Sequence, residues 1–180
     1  MQSRGSSPPL DYSFRNLTSV QALGDAKPRR GLKRYRRSSS GLYDCHALRL
    51  NNNQLPSIQG LHAASYQVLE RPEQLTWLDL SFNKLSSLSA ELAEFPSLKI
   101  VYLHGNLLAE LGKAIRTLRE LPQLYSLTLH GNPLEQHKKY RARILTALPQ
   151  LRSLDFTNIT VADKIHLTDK PKKKSLSSKI

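Results

Sequence analysis

A pattern of apolar positions at fixed spacing, separated by mostly polar ones, recurs along the middle of the chain. Its best copy places apolar side chains at Leu75, Leu78, Leu80 and Leu85, with Asn83 between the last two. Alternation is typical of a short strand and sends Leu78 and Leu80 to one face. The asparagine amide donates and accepts hydrogen bonds, which suits a bend where the backbone leaves the strand. Each copy therefore predicts one strand followed by one internal turn.

The same phrase returns in four further copies, which keep the apolar positions. They are Cys45, Leu48, Leu50, Asn53, Leu55; Leu98, Val101, Leu103, Asn106, Leu108; Leu124, Leu127, Leu129, Asn132, Leu134; and Leu151, Leu154, Phe156. Successive asparagines are 30, 23 and 26 residues apart, which fits the leucine-rich-repeat period of about 20–29 residues with some insertion. Because no single repeat can bury its leucines alone, we predict an α/β leucine-rich-repeat solenoid. It would have short parallel strands on the concave face, helices or turns on the convex face, a C-terminal cap and basic tails.

The segments between the strands are predicted to cross the convex side. Helical spacing is found for Leu88, Leu92 and Phe95, and for Leu111, Ile115 and Leu118. A proline lies two residues before the first leucine of three strands and favours extended backbone in its predecessor. These prolines are Pro96, Pro122 and Pro149. Tyr140, Ile144 and Leu148 form one apolar helix face, which we expect to close the C-terminal end of the core.

Positive charge is concentrated outside the predicted solenoid. The 180 residues have a formal net charge of +13, of which residues 1–40 carry +7, residues 41–155 carry +2 and residues 156–180 carry +4. We therefore predict a basic N-terminal segment (1–41), a solenoid with its cap (42–162) and a basic C-terminal tail (163–180). The aromatic residues and leucines of residues 8–17 are unusual for a disordered chain. This part is expected to dock on the solenoid's N-terminal side or on a partner.

Two basic runs are candidates for contact with an acidic surface. Like charges repel, so both runs are expected to stay extended. Suitable surfaces are nucleic acid, anionic lipid and an acidic protein such as tubulin, whereas the simpler interpretation is a solvated tail or a nuclear-import signal. The electrostatic residues are Arg29, Arg30, Lys33, Arg34, Arg36, Arg37, Lys172, Lys173 and Lys174. Neither run has an aromatic ladder for stacking bases, so sequence-specific nucleic-acid binding is not predicted.

Side chains that flank the inward leucines are expected to face the concave surface. Trp77, Ile100 and Tyr102 would form an exposed apolar cluster with a polar rim, which is the composition of a protein-binding hot spot. The predicted partner-binding residues are Arg49, Trp77, Asp79, Ile100, Tyr102, His104, Thr128 and His130. The alternative is that the N-terminal segment or an edge loop covers them. We expect a protein partner and a monomeric chain.

Other chemistry is not indicated by the sequence. His104 and His130 share a repeat position, but two histidines without a third ligand do not predict a metal site. Cys45, the single cysteine, stands at an apolar repeat position and is predicted to be a small buried hydrophobe. No catalytic or cofactor motif is recognised, so we predict neither an enzyme, nor a cofactor, nor a small-molecule substrate. With no membrane span and no signal-peptide core, a cytoplasmic or nuclear location is expected.

Two parts of the chain resemble known intracellular leucine-rich-repeat proteins. The stretch from Tyr140 to Asp155 resembles the C-terminal caps of the phosphatase-regulator and spliceosomal A-prime types. Most of the chain is similar to one family of such proteins, and residues 8–15, which read Pro-Pro-Leu-Asp-Tyr-Ser-Phe-Arg, make the resemblance specific to that family. The resemblance implies a cytoplasmic, non-enzymatic protein that accompanies ciliated cells, so an axonemal role is expected. The leading function is a protein-binding scaffold, and the alternative is a nucleic-acid or ribonucleoprotein factor whose tail-driven binding falls steeply with salt.

Overall fold

The computed structural model describes residues 7–163, in which seven strands form one sheet. The strands are β1 (Leu10–Asp11), β2 (Ala47–Arg49), β3 (Trp77–Asp79), β4 (Ile100–Tyr102), β5 (Ser126–Thr128), β6 (Ser153–Leu154) and β7 (Thr157–Asn158). They lie side by side in chain order; β1 to β6 are parallel, and β7 returns antiparallel to β6. Leucine pairs with leucine across the sheet, as Leu48 does with Leu78. The predicted solenoid is confirmed.

The convex side is formed by short helices of two kinds. The α-helices are α1 (Leu61–Ser65), α2 (Leu111–Arg119) and α3 (Tyr140–Ala147), and the 3₁₀ helices are Val20–Leu23, Pro72–Gln74, Ala90–Glu94 and Pro133–Gln136. Helix α2 buries Leu111, Ile115 and Leu118, the residues whose spacing predicted it. Between residues 7 and 163, no helix is long and apolar enough to span a membrane.

Four asparagines join the turns of consecutive repeats inside the core. The Nδ2 group of Asn83 donates to the carbonyl oxygens of Leu80, in its own repeat, and Leu50, in the preceding one, at 3.0 and 2.9 Å. Its Oδ1 atom accepts from the backbone N–H of Leu55 at 3.1 Å. Asn53, Asn106 and Asn132 repeat this arrangement. Each asparagine thus satisfies buried backbone groups that no strand partner can reach.

Residues 10–23 form an additional repeat that the sequence pattern did not reveal. Leu10, Tyr12 and Leu17 lie 38 positions before Leu48, Leu50 and Leu55, and all six side chains are buried. Arg15 stands at the position where the later repeats have their asparagine, and Asn16 follows it in the turn. The structure therefore places residues 10–23 in the solenoid, ahead of the boundary at residue 42 that the charge pattern predicted.

The first basic run is an insertion between two repeats, so the expectation of an extended tail is wrong for residues 27–37. The backbone N–H of Arg29 donates to the carbonyl oxygen of Asp11 at 2.6 Å. The hydroxyl of Tyr35 accepts from the backbone N–H of Asp11 at 3.3 Å. These contacts cover the outer edge of β1 and outweigh the repulsion between the exposed cations. Lys172, Lys173 and Lys174 lie outside the described residues.

Burial should make the Cys45 thiol slow to react. The side chain is 5% exposed, as predicted, and burial raises the pKa of the thiol. Because the thiolate is the reactive form, modification of the native protein requires local opening. We expect Ellman's reagent to react roughly 100-fold more slowly with the native chain than with the urea-unfolded chain at the same pH. Equal rates would show that this repeat is open in the native protein.

Candidate partner-binding surface

Aromatic side chains form a continuous row across the concave face. Trp77 and Tyr102, on the neighbouring strands β3 and β4, meet edge to face with ring centroids 5.8 Å apart. Tyr102 and His104 both contact Phe156, at centroid distances of 5.3 and 5.4 Å. We call this set the aromatic row; its members are Trp77, Phe82, Tyr102, His104, His130 and Phe156. Ile100 lies beside Trp77 in the sheet register and extends the apolar surface.

Phe156 belongs to this row and not to the core, where the repeat pattern had placed it. It is 61% exposed. Asp155 and Phe156 both adopt left-handed backbone, with φ of 53° and 60°, so the chain turns away after Leu154. The carboxylate of Asp155 then accepts from the backbone N–H groups of Leu129 and His130, at 2.7 and 3.0 Å. For Leu129 it takes the place of the strand carbonyl that accepts this bond in an earlier repeat, as the carbonyl of Thr128 accepts from Leu103.

His104 and His130 stack at the centre of the row. Their ring centroids are 4.8 Å apart and their planes differ by 5°. Each Nδ1 atom has a polar contact, His104 with the hydroxyl of Thr128 at 2.8 Å and His130 with the carboxylate of Asp155 at 3.2 Å. Burial lowers the pKa of His104, and the proximity of His130 lowers it further. The His104 ring is therefore uncharged at neutral pH, so a partner that covers it does not bury a positive charge there.

Two of the predicted contact residues are buried, so their expected exposure was wrong. Asp79 is 6% exposed, and its Oδ1 atom accepts from the backbone N–H and the hydroxyl of Ser81, at 3.1 and 2.6 Å. Thr128 is fully buried, and its hydroxyl oxygen accepts from the backbone N–H of Leu103 at 3.2 Å. Their small polar side chains turn back to the sheet because local backbone donors are within reach. Both therefore shape the concave face from beneath.

At the N-terminal end of the concave face, the positive charge of Arg49 is paired with two carboxylates. Its guanidinium lies 3.4 Å from the carboxylate of Asp11 and 3.8 Å from that of Asp79. A cleft of about 690 Å³ opens nearby, and Trp77 and Ile100 contribute to its lining. No cluster of three His, Cys, Asp or Glu side chains that could hold a metal ion occurs in the described part of the chain. The arrangement suits an apolar side chain entering beside Trp77.

Comparison with known proteins agrees with the predicted repeats. A family model described as leucine-rich repeat matches residues 47–178. The chain belongs to the leucine-rich-repeat family. Leucine-rich repeat-containing protein 51 of Macaca mulatta is 43% identical, and the human protein of that name 42% identical, each over 87% of this chain and 81% of its own length. This is the family that residues 8–15 resemble, so that prediction is confirmed.

The similarity to solved structures concerns the fold alone. A chain in the crystal structure of the Drosophila melanogaster SNF/U2A′ complex superimposes with a TM-score of 0.59 at 21% identity, covering 82% of this chain and 88% of that one. In leucine-rich-repeat proteins the stacked strands form an extended concave surface, which is typical of interaction modules rather than enzymes. The aromatic row lies on this surface.

Phe82 and Phe156 are members of the row that the sequence interpretation missed. Phe82 is 54% exposed and has a left-handed φ of 52°. Its ring meets His104 edge to face at 5.0 Å and lies so close to Gly105 that a Cβ atom there would be 2.6 Å from it. When the repeats are aligned on their asparagines, Phe82 falls at the same position as Gly105 and Gly131, which also have positive φ. That alignment is a sequence signal for an outward turn position, because glycine favours left-handed backbone.

Proposed function

We propose that this leucine-rich-repeat protein is a non-enzymatic scaffold that binds a protein partner through the aromatic row. The observation that carries the proposal is the outward placement of Phe82 and Phe156, both more than half exposed, against the half-buried Tyr102 and His104. Exposed aromatic side chains that contact one another are typical of binding hot spots. Among the described residues, the N-terminal segment extends the sheet at β1, and its Ser7 and Pro9 line the cleft beside Trp77, while Phe82 and Phe156 stay exposed.

The chemistry of the row selects the kind of partner. His104 is neutral, and Arg49 is already paired with two carboxylates. An apolar or aromatic side chain from a helix or an extended peptide would bury the row, with an anchor beside Trp77. Binding of this kind depends little on salt, whereas binding to nucleic acid weakens steeply as salt rises. We further propose an axonemal partner and a cytoplasmic or ciliary location, on the family resemblance alone.

Replacing Trp77 and Tyr102 with alanine tests the proposal. We expect the double variant to lose about 2–4 kcal/mol of binding free energy, as aromatic anchors do, while its circular dichroism stays normal. Proximity labelling in ciliated cells identifies the partner, and titration with the purified partner measures the loss. Tyr66→Ala with Tyr125→Ala is the matched control, because both tyrosines are exposed elsewhere, by 48% and 36%.

Two outcomes would contradict the proposed binding surface. Retained affinity in a folded Trp77→Ala/Tyr102→Ala variant would exclude the concave face as the binding surface. Equal losses in this variant and in the control would show that aromatic residues contribute without regard to position. A third variant, Phe156→Ser, changes only the exposed end of the row and should weaken the binding of the same partner by a smaller amount.

A further inference from the structure

The basic insertion is a loop whose two ends are anchored on the solenoid. The hydroxyl of Tyr35 donates to the carbonyl oxygen of Arg29 at 2.6 Å, which closes residues 29–35 into a loop. Tyr35 packs edge to face against Tyr43, with ring centroids 5.4 Å apart. The guanidinium of Arg37 lies 4.1 Å from the centre of the Tyr43 ring and donates to its hydroxyl at 2.7 Å. The cations between these anchors are thus held in one place.

These cations surround a cleft of about 750 Å³. Its basic lining residues are Lys27, Arg30, Lys33, Arg34 and Arg37. Within residues 7–163, none of these five side chains is in an ion pair, whereas the neighbouring Arg36 lies 4.0 Å from Asp44. Unpaired like charges around one cleft repel each other, and a bound polyanion removes that repulsion. Arginine also offers paired N–H groups that match the geometry of phosphate.

An apolar side chain stands among the cations. Leu32 is completely exposed, at 109% of its reference area, and follows Gly31 between Arg30 and Lys33. Cations beside an exposed leucine form the composition of a membrane-surface contact, in which the cations attract headgroups and the leucine enters the acyl layer. Single-stranded nucleic acid would need a free aromatic face for stacking. The aromatic rings in this cleft are already packed against each other and against Arg37.

We propose that the cleft binds the multiply phosphorylated headgroup of a membrane lipid, with Leu32 inserted into the apolar layer. The headgroup lies between Arg30, Lys33 and Arg34, and the anchored tyrosines keep the loop from collapsing onto it. None of these residues belongs to the aromatic row. The lipid site therefore holds the solenoid at a membrane surface while leaving the concave face free for a protein.

Vesicle binding by the full chain tests the proposal. The probes are phosphatidylcholine vesicles that contain phosphatidylinositol bisphosphate, vesicles with phosphatidylserine at matched total charge, and soluble inositol hexakisphosphate. The test variant combines Arg30→Gln, Lys33→Gln and Arg34→Gln. The matched control combines Lys84→Gln, Lys99→Gln and Arg119→Gln, which changes the net charge equally at exposed positions elsewhere.

We expect the wild type to prefer the bisphosphate vesicles to the phosphatidylserine vesicles. The test variant should bind the bisphosphate vesicles roughly 100-fold more weakly, because each juxtamembrane cation contributes appreciably to the attraction, while the control keeps the wild-type affinity. Leu32→Ser should weaken vesicle binding by about tenfold and leave binding of soluble inositol hexakisphosphate unchanged. Circular dichroism and thermal unfolding confirm that each variant is folded.

Three results would overturn the proposal. Equal losses of vesicle affinity in the test variant and the control would show that the contact is general charge attraction and not a site at the cleft. Unchanged vesicle binding by Leu32→Ser would exclude insertion into the lipid. Tighter binding to a single-stranded oligonucleotide or a glutamate-rich peptide of equal charge than to the bisphosphate vesicles would assign the cleft to a different class of partner.

Discussion

Replacing Asn83 with alanine is expected to lower the free energy of unfolding by about 4 kcal/mol. The substitution leaves the buried N–H of Leu55 without a hydrogen-bond partner. It also removes one of the two bonds to each of the carbonyl oxygens of Leu50 and Leu80, which keep their bonds from Asn53 and Asn106. An unsatisfied buried N–H costs about 1–3 kcal/mol, and each of the two other lost hydrogen bonds costs about 0.5–1.5 kcal/mol. Asn83 is 7% exposed, so water cannot readily replace the lost amide.

Urea unfolding followed by circular dichroism measures this effect. Asn158→Ala is the matched control, because Asn158 is exposed on β7, and its loss should cost less than about 0.5 kcal/mol. Unfolding should remain cooperative, since Asn83 connects two repeats within one continuous core. Similar stabilities of Asn83→Ala and Asn158→Ala would contradict the role given to the asparagines.

The asparagines also explain why most of the solenoid could be predicted from its sequence. Each asparagine has one structural role that recurs in every complete repeat. One sequence pattern therefore predicts the strand, the turn and the core residues together. Even Val101, where the other complete copies have leucine, keeps the register and is buried. Periodic positions with repeated roles are the part of a fold that sequence pattern reveals most directly.

The first repeat was missed because its turn is built differently. In later repeats the asparagine donates to the repeat before it, whereas within residues 7–163 no repeat lies before residues 10–17. Asn53 of the next repeat supplies the bonds instead, since its Oδ1 atom accepts from the N–H groups of Arg15 and Leu17 at 3.0 Å each. Arg15 can therefore stand at the asparagine position with its side chain exposed. The insertion of residues 27–37 then lengthens the interval to Leu48 beyond the usual period.

The concave site was predicted only in part, for a reason of local geometry. Alternation along β3 and β4 predicts that Trp77, Ile100 and Tyr102 share the face opposite the inward leucines. The structure has all three on that face, partly buried rather than fully exposed. The exposed rings of Phe82 and Phe156 depend on left-handed backbone at non-glycine residues. Such backbone is uncommon and is not predicted from the residue type. For Phe156 the cause is the contact of Asp155 with β5, which no periodic pattern contains. The sequence therefore predicts part of the row, and the position of Phe156 emerges only from a tertiary contact.

Asp155→Ala is expected to destabilise the solenoid by about 4 kcal/mol and to disorder the C-terminal end of the aromatic row. The carboxylate ends the pairing of β6 with the β5 repeat by accepting from two N–H groups of that repeat, at Leu129 and His130. Its second oxygen accepts from the hydroxyl of Tyr140, on α3, at 2.8 Å. Burial raises the pKa of Tyr140, and the charge of Asp155 raises it further, so this hydroxyl stays protonated and donates.

A double-mutant cycle separates the two tasks of Asp155. Tyr140→Phe removes only the contact with α3 and should cost about 1–2 kcal/mol, and its effect should largely vanish in the Asp155→Ala background. Asp163→Ala is the control, because this carboxylate also pairs with α3, through Arg141, but lies at the surface. The near-ultraviolet circular dichroism of the row should decrease in Asp155→Ala alone, since Phe156 loses its position over His104. Additive effects of Asp155→Ala and Tyr140→Phe, with an unchanged near-ultraviolet spectrum, would show that Asp155 neither caps the sheet nor places Phe156.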